Sequence, residues 1–195
     1  MLAALLLGTP LALAAKTILV FGDSLSAGYG IRQDAAWPAL LAKRLADKRL
    51  DYNVVNASIS GETTSGGRSR LDAALDKHAP HIVIIALGSN DGLRGLPVST
   101  LRSNLLAMTD SAQKKKARVL LIGQRLPPNY GAYAEQFHAS FSEVAKARKT
   151  AFVDFLLDGV ATQPQLFQAD NLHPTAEAQG RLLDNVWRGL EPLLK

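Results

Sequence analysis

Thr17-Ile18-Leu19-Val20-Phe21-Gly22-Asp23-Ser24 is the stretch from which the fold of this 195-residue chain is read. Its apolar and β-branched run is too short for a buried helix, and it has the unbroken character of a strand covered on both faces. Glycine then interrupts the run, and two residues that cap helices well follow it. A strand closing on Gly-Asp-Ser therefore starts a strand–turn–helix unit, and the rest of the chain should repeat that unit.

Further runs of strand length fall at Tyr52–Ala57, His81–Leu87, Arg118–Gly123 and Ala151–Phe155, rich in Val and Ile. Segments of helical period lie between them. Trp37, Leu40, Leu41 and Leu45 recur ahead of Lys48, and others run through 68–77, 99–116, 133–149 and 175–190. Such alternation predicts βαβ units with right-handed crossovers, hence an α/β fold in which helices cover both faces of a parallel sheet. No linker divides residues 16–195, so one domain is expected.

Hydrophobic residues make up 47% of the chain and charged ones 20%, which excludes a disordered polymer. The absence of cysteine excludes disulfides, thiolate metal sites and a cysteine nucleophile. A net charge of +5 raises the question of nucleic acid. The densest basic cluster, Lys114-Lys115-Lys116 with Arg118, closes a predicted helix, where cations favour the dipole, and no aromatics interleave with it. Nucleic acid is not an expected partner.

Residues 1–15 carry no charged side chain and end in Ala12-Leu13-Ala14-Ala15, with charge returning at Lys16. The run is too short to cross a bilayer and its end has the small-residue pattern of a cleavage site. A signal peptide cut after Ala14 or Ala15 is expected. The product is then exported, periplasmic or secreted, with no stable membrane insertion after cleavage. No Lys or Arg precedes the apolar run, as such signals usually have, and a buried N-terminal helix is the alternative.

In an open parallel sheet, ligands bind beyond the carboxyl ends of the strands, so chemistry should follow each strand. After the first comes Ser24, either a projecting nucleophile or a helix cap. After the second comes Ser60-Gly61-Glu62-Thr63-Thr64-Ser65-Gly66-Gly67. It lacks the Gly-Lys-Ser/Thr of a phosphate loop, and Gly28-x-Gly30 lacks the third glycine of a dinucleotide fingerprint. This loop can offer the Gly61 N–H to an anion or form a plain turn. After the third comes Gly88-Ser89-Asn90-Asp91-Gly92, where Asn90 can serve an oxyanion hole or shape a turn.

Of the four histidines, only His173 has a carboxylate three residues away, Asp170, on a segment that Pro174 keeps out of helix. A metal role for the pair would need a third ligand cluster, and none has plausible spacing, so no metal and no cofactor are expected. Together the loops bring a nucleophile, two anion donors and an Asp–His pair, in chain order.

Gly22-Asp23-Ser24-Leu25, Ile59-Ser60-Gly61-Glu62-Thr63-Thr64, Gly88-Ser89-Asn90-Asp91 and Asp170-x-x-His173 resemble the four blocks of the SGNH (or GDSL) hydrolases. The resemblance spans the mature chain. It is closest to the bacterial multifunctional thioesterase I/lysophospholipase/arylesterase branch, on 56–61, 90–95 and 125–131. It implies a three-layer α/β/α sandwich with a five-stranded parallel sheet, the flavodoxin-like arrangement. It also implies Ser24 as nucleophile and His173 as base oriented by Asp170. The oxyanion hole would be made by the backbone N–H groups of Ser24 and Gly61 and the Asn90 side chain.

The implied activity is hydrolysis of small-molecule acyl esters (aryl esters, lysophospholipids) and acyl thioesters, by a monomer and without cofactor. Asp91, Leu93, Arg94, Leu126 and Tyr130 are the expected substrate contacts. Leu93, Leu96, Leu126, Tyr130 and Tyr133 favour an apolar acyl groove over the polar cleft of a carbohydrate O-acetylesterase. A binding module without turnover is the remaining alternative, against which the intact Ser24, Asp170 and His173 speak. Two positions depart from the branch: Ser89 and Asn171 each stand where glycine is usual, and Asn tolerates a left-handed backbone. N-terminal sequencing of protein from an export-competent host should begin at Ala15 or Lys16; soluble, uncleaved protein starting at Met1 would contradict this.

Overall fold

A computed structural model describes residues 15–195, so all of the expected signal peptide except Ala15 lies outside the described residues. Five parallel strands, β1 (Lys16–Gly22), β2 (Tyr52–Asn56), β3 (Ile82–Ala86), β4 (Arg118–Ile122) and β5 (Ala151–Val153), form one sheet in the order β2-β1-β3-β4-β5. The sheet is the one the alternating pattern predicts. Chain progression reverses between β1 and β3, which makes their carboxyl ends the topological switch point.

Side chains alternate across each strand and feed two cores. Ile18, Val20, Ile82, Ile84, Leu120 and Ile122 pack with helices α2 (Trp37–Asp47) and α7 (Gln179–Leu190). Leu19, Phe21, Val83, Ile85 and Leu121 pack with α3 (Thr64–His78), α5 (Val98–Lys114) and α6 (Ala132–Arg148). Burial on both faces is why the strands read as unbroken apolar runs.

The helices differ from the sequence reading at four places. Helix α3 begins at Thr64, four residues before the expected Arg68, because the Thr63 hydroxyl caps it by accepting from the Gly66 N–H. Two short helices, α1 (Ser24–Ala27) and α4 (Ser89–Leu93), occupy segments that read as turns; neither is long enough to show a period. The last helix starts late, with a 3₁₀ turn at Ala176–Ala178 ahead of it.

Strand β1 leads into α1 through a crowded position. A Cβ at Gly22 would lie 2.7 Å from Ser26 Oγ and 3.0 Å from the backbone oxygen of Ala86, so glycine lets β1 and β3 end side by side. Gly22→Ala should cost about 1–3 kcal/mol of stability and slow turnover, since Ser24 is two residues on. Thermal melts and steady-state assays check both, and an unchanged melting temperature would refute the close-packing role.

Candidate active site

Asp23 caps the turn that leaves β1, its carboxyl accepting from the Leu25 N–H at 3.1 Å. That geometry makes Ser24 the first residue of α1, at the carboxyl edge of the sheet. The opposing loop is built around Asp170. One of its oxygens accepts the Leu172 and His173 N–H groups at 3.0 Å each. Asn171 completes the turn in the left-handed region, at φ 56°, a conformation Asn tolerates. The Gln168 N–H bonds the His173 carbonyl at 2.8 Å, and an antiparallel bridge between Phe167 and Pro174 closes the loop.

This frame aims the imidazole. His173 Nδ1 lies 2.6 Å from the other Asp170 oxygen, and His173 Nε2 lies 2.9 Å from Ser24 Oγ. With a carboxylate accepting at Nδ1, the proton resides there and Nε2 is left to accept from the serine hydroxyl. The His173 N–H, then the imidazole, then the Leu172 N–H hold the Asp170 carboxyl well below the usual carboxylate range. Tyr29 packs its ring against the imidazole, with centroids 4.5 Å apart.

Asn90 stands on α4 beyond β3. Its Nδ2 donates to the Glu62 carbonyl at 3.0 Å and lies 3.5 Å from an Asp23 oxygen. Gly61 sits in the neighbouring loop at φ 79°, which favours glycine. The structure thus brings Ser24, Asp170, His173 and Asn90 together. Among the described residues, no group of three His, Asp or Glu side chains is placed to hold a metal ion.

Asp91, expected to touch substrate, is not among the residues that line the cavity beside Ser24. It is buried, and its two oxygens accept the Thr64 N–H at 2.8 Å and the Thr64 hydroxyl at 2.5 Å. Its carboxylate joins the start of α3 to α4 instead. Arg94 donates to the Gly61 carbonyl at 3.0 Å. Tyr130 belongs to a 3₁₀ turn and packs beside Tyr133, whose hydroxyl donates to the Leu96 carbonyl. Leu93 and Leu126 do line the cavity of about 460 Å³ that opens beside Ser24 and His173, with Phe155, Leu157, Phe167 and Leu172.

Asp23 and Tyr29 were not among the expected site residues. The Gly-Asp-Ser motif marks Asp23 only as a cap, and Tyr29 meets His173 across 144 residues of chain, beyond any local pattern. Asp23 is fully buried, and burial, opposed by the Leu25 N–H, pushes its carboxyl up to about 7. The arrangement holds a hydroxyl against an oriented base, with amide donors on neighbouring loops and an apolar cavity alongside. It can add an oxygen nucleophile to an acyl carbonyl and receive the resulting anion.

Residues 20–181 match the model of the GDSL-like Lipase/Acylhydrolase family. The chain is 52% identical over 182 residues to the Esterase TesA of Pseudomonas aeruginosa, spanning 93% of this chain and 90% of that protein. It is 41% identical over 184 residues to the Thioesterase 1/protease 1/lysophospholipase L1 of Escherichia coli K12, spanning 94% and 87%. The crystal structure of the psychrotrophic esterase EstA from Pseudoalteromonas sp., inhibited by monoethylphosphonate, superposes with a TM-score of 0.87 at 38% identity, over 92% of this chain and 98% of that one.

The Asp23 shift has a signed consequence. From its ordinary value of 3.8 up to about 7, the folded chain holds a proton that the unfolded chain has released, so Asp23 removes stability as pH rises through that window. Asp23→Asn keeps an oxygen for the Leu25 N–H but cannot ionise. Compared with wild type, its urea midpoint should improve between pH 5 and pH 8, by roughly 2–4 kcal/mol in stability. A constant difference across that range would refute the buried neutral acid.

Proposed function

The chain belongs to the GDSL-like lipase/acylhydrolase family, and from that premise we propose that it is an exported serine esterase and thioesterase working through Ser24, His173 and Asp170. The observation that carries the reading is the continuous contact from Asp170 through His173 to Ser24 Oγ at the mouth of an apolar cavity. His173 Nε2 takes the hydroxyl proton as Oγ attacks the acyl carbonyl. The oxyanion is received by the N–H groups of Ser24 and Gly61 and by the Asn90 Nδ2 hydrogen that the Glu62 carbonyl does not take, which exchanges its long 3.5 Å contact with Asp23 for the oxyanion. Collapse sends the proton from His173 to the leaving alkoxide or thiolate, and water repeats the sequence on the acyl-serine.

Aryl esters, lysophospholipids and acyl thioesters are the substrate classes, the last two in keeping with the name of the Escherichia coli relative. The Leu, Phe and Ala side chains of the cavity favour an acyl chain over a carbohydrate acetate. All the catalytic groups come from one chain, so the reading requires no second copy, cofactor or nucleic acid. The apolar run ending in Ala12-Leu13-Ala14-Ala15 supports export to the periplasm or beyond, with 16–195 as the hydrolase domain.

Ser24→Ala should abolish ester hydrolysis and labelling by a fluorophosphonate while melting like wild type; near-normal turnover at matched purity would end the proposal. Asn90→Ala should lower kcat by about 10²–10³ with little change in KM. Asn90→Asp should be at least as damaging, because it sets a carboxylate against Asp23, the Glu62 carbonyl and the oxyanion. A well-folded Asn90→Asp enzyme with near-normal kcat would restrict the oxyanion hole to backbone donors.

A further inference from the structure

Gln124 is anomalous in the wall of this cavity. It follows Gly123 at the exit of β4 and is 2% exposed, yet it lines the same cavity as Ser24. Its amide nitrogen is shielded from solvent and finds no acceptor among the described residues. The backbone around it is already engaged: the Gly123 N–H bonds the Val153 carbonyl at 2.7 Å, and the Gly123 carbonyl accepts from Leu156. Arg125, its neighbour in the wall, is committed to Asp154 and His138. A primary amide buried without a partner bears the full cost of its desolvation, and native cores rarely keep one without a use.

Its position suggests the use. The sheet runs β1-β3-β4, so Gln124 leaves the sheet two strands from Ser24, about 10 Å away at ordinary strand spacing. An acyl group whose carbonyl sits at Ser24 and whose chain lies across the strand ends reaches Gln124 along a medium-length tail. A saturated chain would pass methylenes over the amide and leave it unpaired in the complex. An oxygen substituent at that depth would pair with it.

We propose that Gln124 is a specificity residue that selects acyl chains carrying a hydroxyl group at about carbon six to eight, the scissile carbonyl being carbon one. The proposal rests on the reading of Ser24 as nucleophile and of this cavity as the acyl site. A hydroxyl both donates and accepts, so it pairs with whichever end of the amide, oxygen or nitrogen, faces the cavity. A site built to hydrogen-bond a substrate group discriminates against the analogue that lacks it, because the buried partner is then orphaned.

The test uses the mature enzyme and ethyl esters of octanoic acid, plain or hydroxylated at carbon three, six, seven or eight, with acid release followed by alkali titration. Wild type should favour at least one of the three distal hydroxyesters over plain octanoate by about tenfold in kcat/KM, and the ester hydroxylated at carbon three should gain nothing. Gln124→Leu should erase that preference and hydrolyse plain octanoate faster than wild type does. Gln124→Met is the second variant, should Leu fold poorly. Equal rates on all esters in wild type, or a distal preference kept by a folded Gln124 variant, overturns the assignment. Hydrolysis that survives Ser24→Ala would instead overturn the underlying reading of the site.

Discussion

Pairing of β1 with β3, from Ile18 against Ile82 to Gly22 against Ala86, ends both strands at one level of the sheet. Because the crossovers from these strands leave on opposite faces, a crevice opens at the edge where they stop. Ser24 and Asn90 emerge there side by side, and the third loop joins them through two backbone bonds that extend the sheet: the Ala57 N–H to the Val20 carbonyl and the Ile59 N–H to the Gly22 carbonyl. A slip of one residue in this register would turn every side chain of β1 to the other core. The apolar packing of the strands thereby sets the height of the Ser24 hydroxyl.

Beneath that edge the loops are held by polar contacts rather than by apolar packing. Asp91 ties α3 to α4 through Thr64, and Asn104 supports Thr64 from α5 by donating to its hydroxyl. Arg70 joins Glu62 to the Ala57 carbonyl, on the loop that carries Gly61. Two carboxyl groups near Ser24 are treated in opposite ways. Asp23 is buried and driven toward its neutral form, whereas Asp170 sits at the surface among N–H donors and stays anionic. Environments that push two acids apart let one hold a turn while the other orients a base.

The sheet was legible in the sequence because each strand is buried on both faces, so its apolar run needs no partner to be recognised. Asp170 and His173 were legible because Pro174 and a spacing of three confine them to one turn. Asp91 was not. Its Asn-Asp-Gly setting is what an exposed turn also looks like, and only the fold brings Thr64 beneath it. The placement of Arg94 and Tyr130 outside the cavity lining was hidden for the same reason: long side chains in loops can face either way, and contacts 33 and 3 residues distant decided their direction. Helices α1 and α4, with four and five residues, are too short to repeat a hydrophobic period.

Ser24 and His173 stand 149 residues apart in the chain, one at its first strand and the other just ahead of its last helix. Synthesis from the N-terminus therefore makes Ser24 early and His173 nearly last. The Ser24 hydroxyl gains its imidazole neighbour only once the segment from Phe167 to Pro174 has folded back beside it, so the site is assembled only by an essentially finished polypeptide.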